Sequence, residues 1–270
     1  MHEMVIEAGH AERNYWRDLW RYRELFWFLA WRDILVRYKQ TALGIGWALL
    51  QPLLTMIVLT VVFGKVAKLP SNGVPYPVLV LAGLLPWQFF SRALAESSMS
   101  LITNTNLISK VYFPRLIVPA GSVVVSLVDF LISFALLVVL MVWYQFWPGM
   151  RLLALVPLVP LAVLAATGPG LLISALNVRY RDFRYIVPFI VQLGVYISPV
   201  GFSSDLIPDK WRMLYSLNPL VGIIDLFRWS VTGSALYVPS VIISAAVILF
   251  LLALGVWYFR RTEKTFADII

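Results

Sequence analysis

Apolar residues gather into six long stretches, near 43–63, 77–95, 117–143, 152–176, 186–202 and 239–259. Each is close to the ~20 residues that carry an α-helix across the hydrocarbon core of a bilayer. A chain in lipid must satisfy its backbone hydrogen bonds internally, so the pattern predicts an all-α membrane protein with six transmembrane helices. Ahead of the first stretch, Trp20, Trp27, Trp31, Ile34 and Tyr38 recur at spacings of seven, four, three and four, which is a helical stripe. Arg17, Arg21 and Glu24 keep the same period on another face. Residues 14–40 are therefore expected to form an amphipathic helix in the cytoplasmic interface of the membrane, a plain membrane anchor being the alternative.

The connection 203–238 is too long for a hairpin and too mixed in polarity for a span. Pro208, Asn218-Pro219 and Gly233 divide it into short apolar runs. Two short re-entrant helices on the outer side fit this pattern, as does an ordinary surface loop. Gln51-Pro52, Gly83, Pro86 and Pro199 interrupt the first, second and fifth stretches and are expected to bend them unless neighbouring groups compensate. The chain divides accordingly into an N-terminal cytoplasmic segment, 1–42, and a six-span domain, 43–270.

Charge orients this arrangement. Sixteen of the 22 lysines and arginines lie in 1–42, 92–116, 177–185 and 260–270, and six lie in the alternate connections. That bias places both termini in the cytoplasm. A chain that is 60% hydrophobic and 13% charged suits a bundle whose surface meets lipid. Its net charge of +8 is spread over four separate segments, which fits anionic lipid headgroups and not a nucleic-acid module. The first forty residues have no short apolar core followed by small residues, so the first span is expected to act as its own insertion signal.

Several chemistries are excluded. The absence of cysteine removes disulfides, iron-sulfur clusters and thiol catalysis, and His2 and His10 lie far from any span. No Gly-x-x-x-x-Gly-Lys-Ser/Thr loop is present to cradle nucleotide phosphates, so any ATP must be handled by a partner. Asp129 is the one acidic residue expected well inside a span, too little for a carrier driven by ions. It is read as a helix-packing group ahead of a substrate contact.

Certain strings, read in order, resemble the type-2 ABC exporter permeases that move polysaccharides such as O-antigen, capsule and teichoic acid chains. They are Arg32-Asp33-Ile34, Arg37-Tyr38-Lys39-Gln40-Thr41, Leu43-Gly44 with Trp47, Gln51-Pro52 and Gly83-Leu84-Leu85-Pro86-Trp87. The series continues with Asn106 through Arg115, Asn177-Val178-Arg179-Tyr180-Arg181-Asp182, Ser198-Pro199-Val200 and Asn218-Pro219. Two positions depart from the pattern: Ser109 stands where a second basic residue is expected, and Gly201-Phe202 follow Pro199-Val200 where an aromatic residue often comes sooner.

The resemblance implies a homodimer enclosing a channel, with two copies of a separate ABC ATPase subunit bound on the cytoplasmic side. This chain would bind no cofactor, and ATP and Mg would sit on the partner. Lys110, Arg115, Arg179, Arg181, Asp182 and Arg184 become candidates for coupling to the ATPase. The substrate would be a lipid-linked polysaccharide, whose sugar rings present apolar C–H faces to aromatic side chains. Trp47, Trp87, Phe89, Phe90, Tyr196 and Phe202 are the channel candidates, with interfacial anchoring as their other reading. The alternatives are export of a smaller amphiphile, such as a drug or lipid, and a membrane-embedded glycan-modifying enzyme.

Overall fold

The computed structural model describes residues 15–39 and 44–269. His2, His10, Gln40-Thr41, Leu43 and the expected division at 42/43 lie outside them. Among the described residues the regular elements are all helical. In chain order they are α1 (Tyr15–Arg21), α2 (Arg23–Lys39), α3 (Ile45–Leu59), α4 (Tyr76–Thr103), α5 (Thr105–Lys110) and α6 (Ile117–Trp143). The order continues with α7 (Leu155–Arg179), α8 (Phe183–Ile197), α9 (Asp209–Tyr215), α10 (Pro219–Thr232), α11 (Val238–Thr262) and α12 (Phe266–Ile269). Five of the segments are long and apolar enough to cross a membrane: Ile45–Val66, Tyr76–Thr103, Ile117–Trp143, Gly149–Arg179 and Val238–Thr265.

The N-terminal stripe forms two helices, because the chain turns at Tyr22 between α1 and α2. Trp20, Trp27 and Trp31 remain exposed, while Leu29 and Ala30 are buried and α2 packs along α6. In α3, Pro52 has no N–H to donate to the carbonyl of Ala48 one turn earlier. Ser133 on α6 stands in its place, its Oγ 3.1 Å from the Ala48 oxygen and 2.8 Å from the Asp129 carbonyl, so that one hydroxyl hydrogen is shared between the two acceptors. Beyond Leu59 the helix widens into a π-helical stretch, Thr60–Val66, where Gly64 lies against the ring of Tyr76.

The second span differs most from expectation. The apolar stretch is expected to end near 95, yet α4 continues to Thr103 and carries Arg92 and Glu96 inside its length. Its charged residues find partners on α2, α3 and α6, so the helix need not end where its hydrophobicity does. The third and sixth spans agree closely with α6 and α11, and the fourth is α7 led in by a 3-10 turn, Gly149–Ala154.

The fifth apolar stretch yields only α8, 15 residues or about 22 Å of helix. It stops because Ser198, followed by Pro199, is extended (φ −88°, ψ 152°), as the residue before a proline prefers. The 203–238 connection holds two short helices, α9 and α10. Asn218 caps α10 by accepting from the Leu220 N–H at 3.1 Å, Pro219 occupies the first turn, and Gly233 closes the other end at φ 73°.

One core gathers α4, α6, α7, α10 and α11, with α4 at its centre. A second, smaller core lies at the end where the two termini meet. It collects Tyr15 and Leu29, Ile108 and Phe113 from the connection after α4, Val178 at the end of α7, and Phe259 and Phe266 from the C-terminal helices.

Candidate functional site

At the terminal end, the C-terminal segment ties three other parts of the chain together. Tyr15 Oη donates to Glu263 Oε2 at 3.0 Å, and Arg115 Nη1 donates to the Glu263 backbone carbonyl. The Arg260 guanidinium lies 4.5 Å from the centre of the Tyr15 ring. Burial and the adjacent Glu263 carboxylate push the Tyr15 hydroxyl well above the usual tyrosine range. Asn177 joins α7 to α4 by donating to the Ser98 carbonyl at 2.8 Å.

On this frame, two short edges project outward. Lys110, Val111 and Tyr112 are exposed after α5, and Arg179, Tyr180, Arg181, Asp182 and Arg184 are exposed between α7 and α8. Five of the six coupling candidates thus share one end of the molecule with free side-chain surface. Arg115 is half-buried and donates to the Glu263 carbonyl of the C-terminal segment.

A polar cluster lies farther in. Arg37 of α2 reaches between two carboxylates, donating to Asp129 Oδ2 at 2.5 Å and to Glu96 Oε1. Arg92 of α4 donates to Asp129 Oδ2 at 3.0 Å and to Gln51 Oε1 at 2.6 Å. Tyr38 Oη donates to the other Asp129 oxygen, and burial together with that bond pushes the Tyr38 hydroxyl upward. Two arginines therefore balance two carboxylates, and α2 is clasped to α4 and α6. The packing role expected of Asp129 matches this arrangement. The expected second span ends near 95 and leaves Glu96 to the connection, although Gln88, Arg92 and Glu96 recur every four residues, the spacing of one helical face.

At the far end, two of the strings noted in the sequence, those of Gly83 and Val200, meet at Arg228 of α10. Its side chain is fully buried, and it donates to the backbone carbonyls of Val200 (2.7 Å), Phe202 and Leu79 (3.4 Å). Gly83 makes room for it: a Cβ there would stand 2.7 Å from Arg228 Nη2. Asn218 Nδ2 donates to Ser198 Oγ at 3.0 Å, and Tyr76 Oη donates to the Gly201 carbonyl at 3.0 Å. The end of α8 is thereby bound to α4 and α10.

The channel candidates separate by burial. Trp87, Phe89 and Phe90 are buried in the chain's own core, Phe89 against Phe130 and Trp87 against Gly194 of α8. These three offer no surface to a substrate in this conformation, because their rings fill the space between α4 and its neighbours. Phe202 packs on Phe63 with ring centres 6.4 Å apart. Trp47 and Tyr196 are open, at 54% and 68% exposure, on the two sparsely packed helices α3 and α8.

Long apolar helices with charged loops collected at the terminal end define a multi-pass membrane protein. Residues 24–232 match the family described as ABC-2 type transporter, and the chain belongs to that family. It is similar to the O-antigen export system permease protein RfbA of Klebsiella pneumoniae, with 29% identity over 88% of this chain and 92% of the relative. RfbA of Myxococcus xanthus is 31% identical over 78% of this chain and 82% of its own length. The polysialic acid transport protein KpsM of Escherichia coli is 26% identical over 74% and 78% respectively.

Proposed function

We propose that the chain is the channel-forming permease subunit of an ATP-driven exporter that moves a lipid-linked, O-antigen-like polysaccharide across the inner membrane. The likeness to two O-antigen export permeases along nearly the whole chain supports the substrate class. The observation that carries the mechanism is the pair of exposed edges, 110–112 and 179–184, mounted on one tied frame at the terminal end. By the charge bias that end faces the cytoplasm. The edges then meet two copies of a separate ATPase, which binds ATP and Mg, and a push on them reaches α4, α7 and α8 together.

In this reading α8, continued by Ser198–Phe202, is the fifth of six spans, and α9 and α10 form the re-entrant outer segment at the exit. The exposed tryptophans of α1 and α2 lie in the inner membrane interface. A second copy covers α3 and α8, whose residues Trp47 and Tyr196 line the path where sugar rings slide across aromatic faces.

Replacing Arg179, Arg181 and Arg184 together by glutamine tests the coupling. Substrate-stimulated ATP hydrolysis by the reconstituted complex is expected to fall about tenfold, with insertion and dimer assembly unchanged. Normal stimulation in that variant would refute the assignment of this edge.

A further inference from the structure

We infer that Gln51, Gln88, Arg92 and Glu96, backed by Arg37 and Asp129, form a hydrated, charge-balanced hydrogen-bonding ladder on the translocation path, for a hydroxyl-bearing polymer. The inference rests on the exporter reading and adds a polar subsite to it.

Depth makes the case. Arg92 is 16 residues from the outer end of α4 and 11 from its inner end, about 24 Å and about 16 Å along the helix. Centred on a hydrocarbon layer of about 30 Å, a helix of about 42 Å places Arg92 about 10 Å inside the inner boundary, within reach of Arg37 from the interface. It is nonetheless partly open: the side chains of Arg37, Glu96 and Arg92 are 30%, 29% and 21% exposed, and Asp129 is 5% exposed. Ionised groups at that depth do not face lipid tails; they face protein or a water-filled cavity. On α4, which is otherwise the most buried span, the open positions Gln88, Arg92 and Glu96 fall on one face.

A second observation points to water at the same place. Gln88 Oε1 is buried and has no hydrogen-bond partner among the described residues. Gln88 lines a cavity of about 10 Å³ together with Arg92, Ser126, Asp129 and Ser133. That is room for one water molecule with several polar partners.

The chemistry of the ladder selects its ligand. Arginines and amide nitrogens donate, while carboxylates and amide oxygens accept, so the row serves hydroxyls, which do both. The two arginines are matched by two carboxylates, and a passing neutral chain meets no net charge that would hold it. Weak, exchangeable bonds of this kind permit movement.

Because the natural chain has no cysteine, single cysteines report access directly. In inside-out vesicles holding the complete transporter, Gln51→Cys and Gln88→Cys are expected to react with a charged, membrane-impermeant methanethiosulfonate at least about tenfold faster than Leu249→Cys. Leu249 is the lipid control, exposed at the middle of α11. Supplying the transported glycan should slow both ladder positions and leave the control alone. Rates at Gln51→Cys and Gln88→Cys no faster than the control, in vesicles that still export, would overturn the ladder. Gln88→Leu gives a reading that does not depend on labelling: it keeps the side chain's bulk, removes its hydrogen bonds, and should slow export about threefold to tenfold. Unchanged export would count against contact with the polymer. Export by the unsubstituted transporter tests the substrate class separately. A transporter that labels at the ladder yet moves no glycan overturns the glycan assignment and spares the hydrated path.

Discussion

The two groups of arginines packed against α4 are buried by different means. Arg37 and Arg92 sit among two carboxylates, a tyrosine and a glutamine, partly open to the outside. Arg228 is sealed completely and is held by backbone carbonyls of the chain's own turns, while Asp225, one helical turn earlier, accepts instead from Ser204 Oγ at 2.8 Å. In the first arrangement charge answers charge, so balance matters more than shape. The second depends on geometry, because a carbonyl accepts only what points at it. The site of Arg37 and Arg92 is thus suited to tolerating shifted contacts, and that of Arg228 to fixing the turn after α8.

The largest consequence falls on Arg228. Arg228→Met keeps the bulk and removes every donor, leaving the buried carbonyls of Val200 and Phe202 without their partner. Each such loss costs about 1–3 kcal/mol, so unfolding in mixed micelles should show a deficit of about 3–5 kcal/mol. Arg228→Lys should recover little of it, since one ammonium cannot reproduce a planar fork aimed at separate carbonyls. A Lys variant as stable as the parent would break the comparison at this end.

This outer site also marks how far the sequence could be read. Periodicity and charge bias reveal the spans and the exposed basic edges because those features are local and repeated. The partners of Arg228 come from residues 79, 200 and 202, and no local pattern links them. Gly83 and Ser198-Pro199-Val200 were visible as strings, but their shared purpose emerges only when one guanidinium is placed between them, with Asn218 joined to the second through Ser198. The buried rings of Trp87, Phe89 and Phe90 teach the same lesson. An aromatic residue in a span reads alike whether it faces a path or a core, and here the neighbours on α6 and α8 decide. Glu96 was hidden for the opposite reason: hydropathy treats a charge as the end of a span, although a charge with partners continues the helix.

A smaller effect is expected at the inner cluster. Asp129→Asn preserves the shape and one acceptor but leaves Arg37 and Arg92 facing Glu96 alone. Removing one partner from a sealed ion pair costs about 3–5 kcal/mol, and partial access to water should reduce that here to about 2 kcal/mol. Pairing it with Arg92→Gln, which restores the balance of charge, should recover part of the loss. Additive destabilisation in the double variant would show that shape, and not balance, governs this site too.

The mildest change sharpens the contrast most. Arg37→Lys keeps the positive charge and shortens the reach, so the ammonium can serve either Asp129 or Glu96 closely but loses the fork that spans both. In a site that is partly wet, the remaining attraction is weak in any one geometry and forgiving about which geometry it takes. Arg37→Lys should therefore cost about 1 kcal/mol or less in the same unfolding measurement. Since α2 is clasped to α4 and α6 through this residue, the exchange should show more clearly in motion than in stability, as faster amide hydrogen exchange along α2 with no change in α10. The same replacement at Arg228 should give the reverse, with loosening at α10 and the turn after α8. If Lys at position 37 proved as damaging as Lys at position 228, the cluster held by Arg37 would be a second rigid lock governed by shape, and the contrast between the two arginine sites would fail.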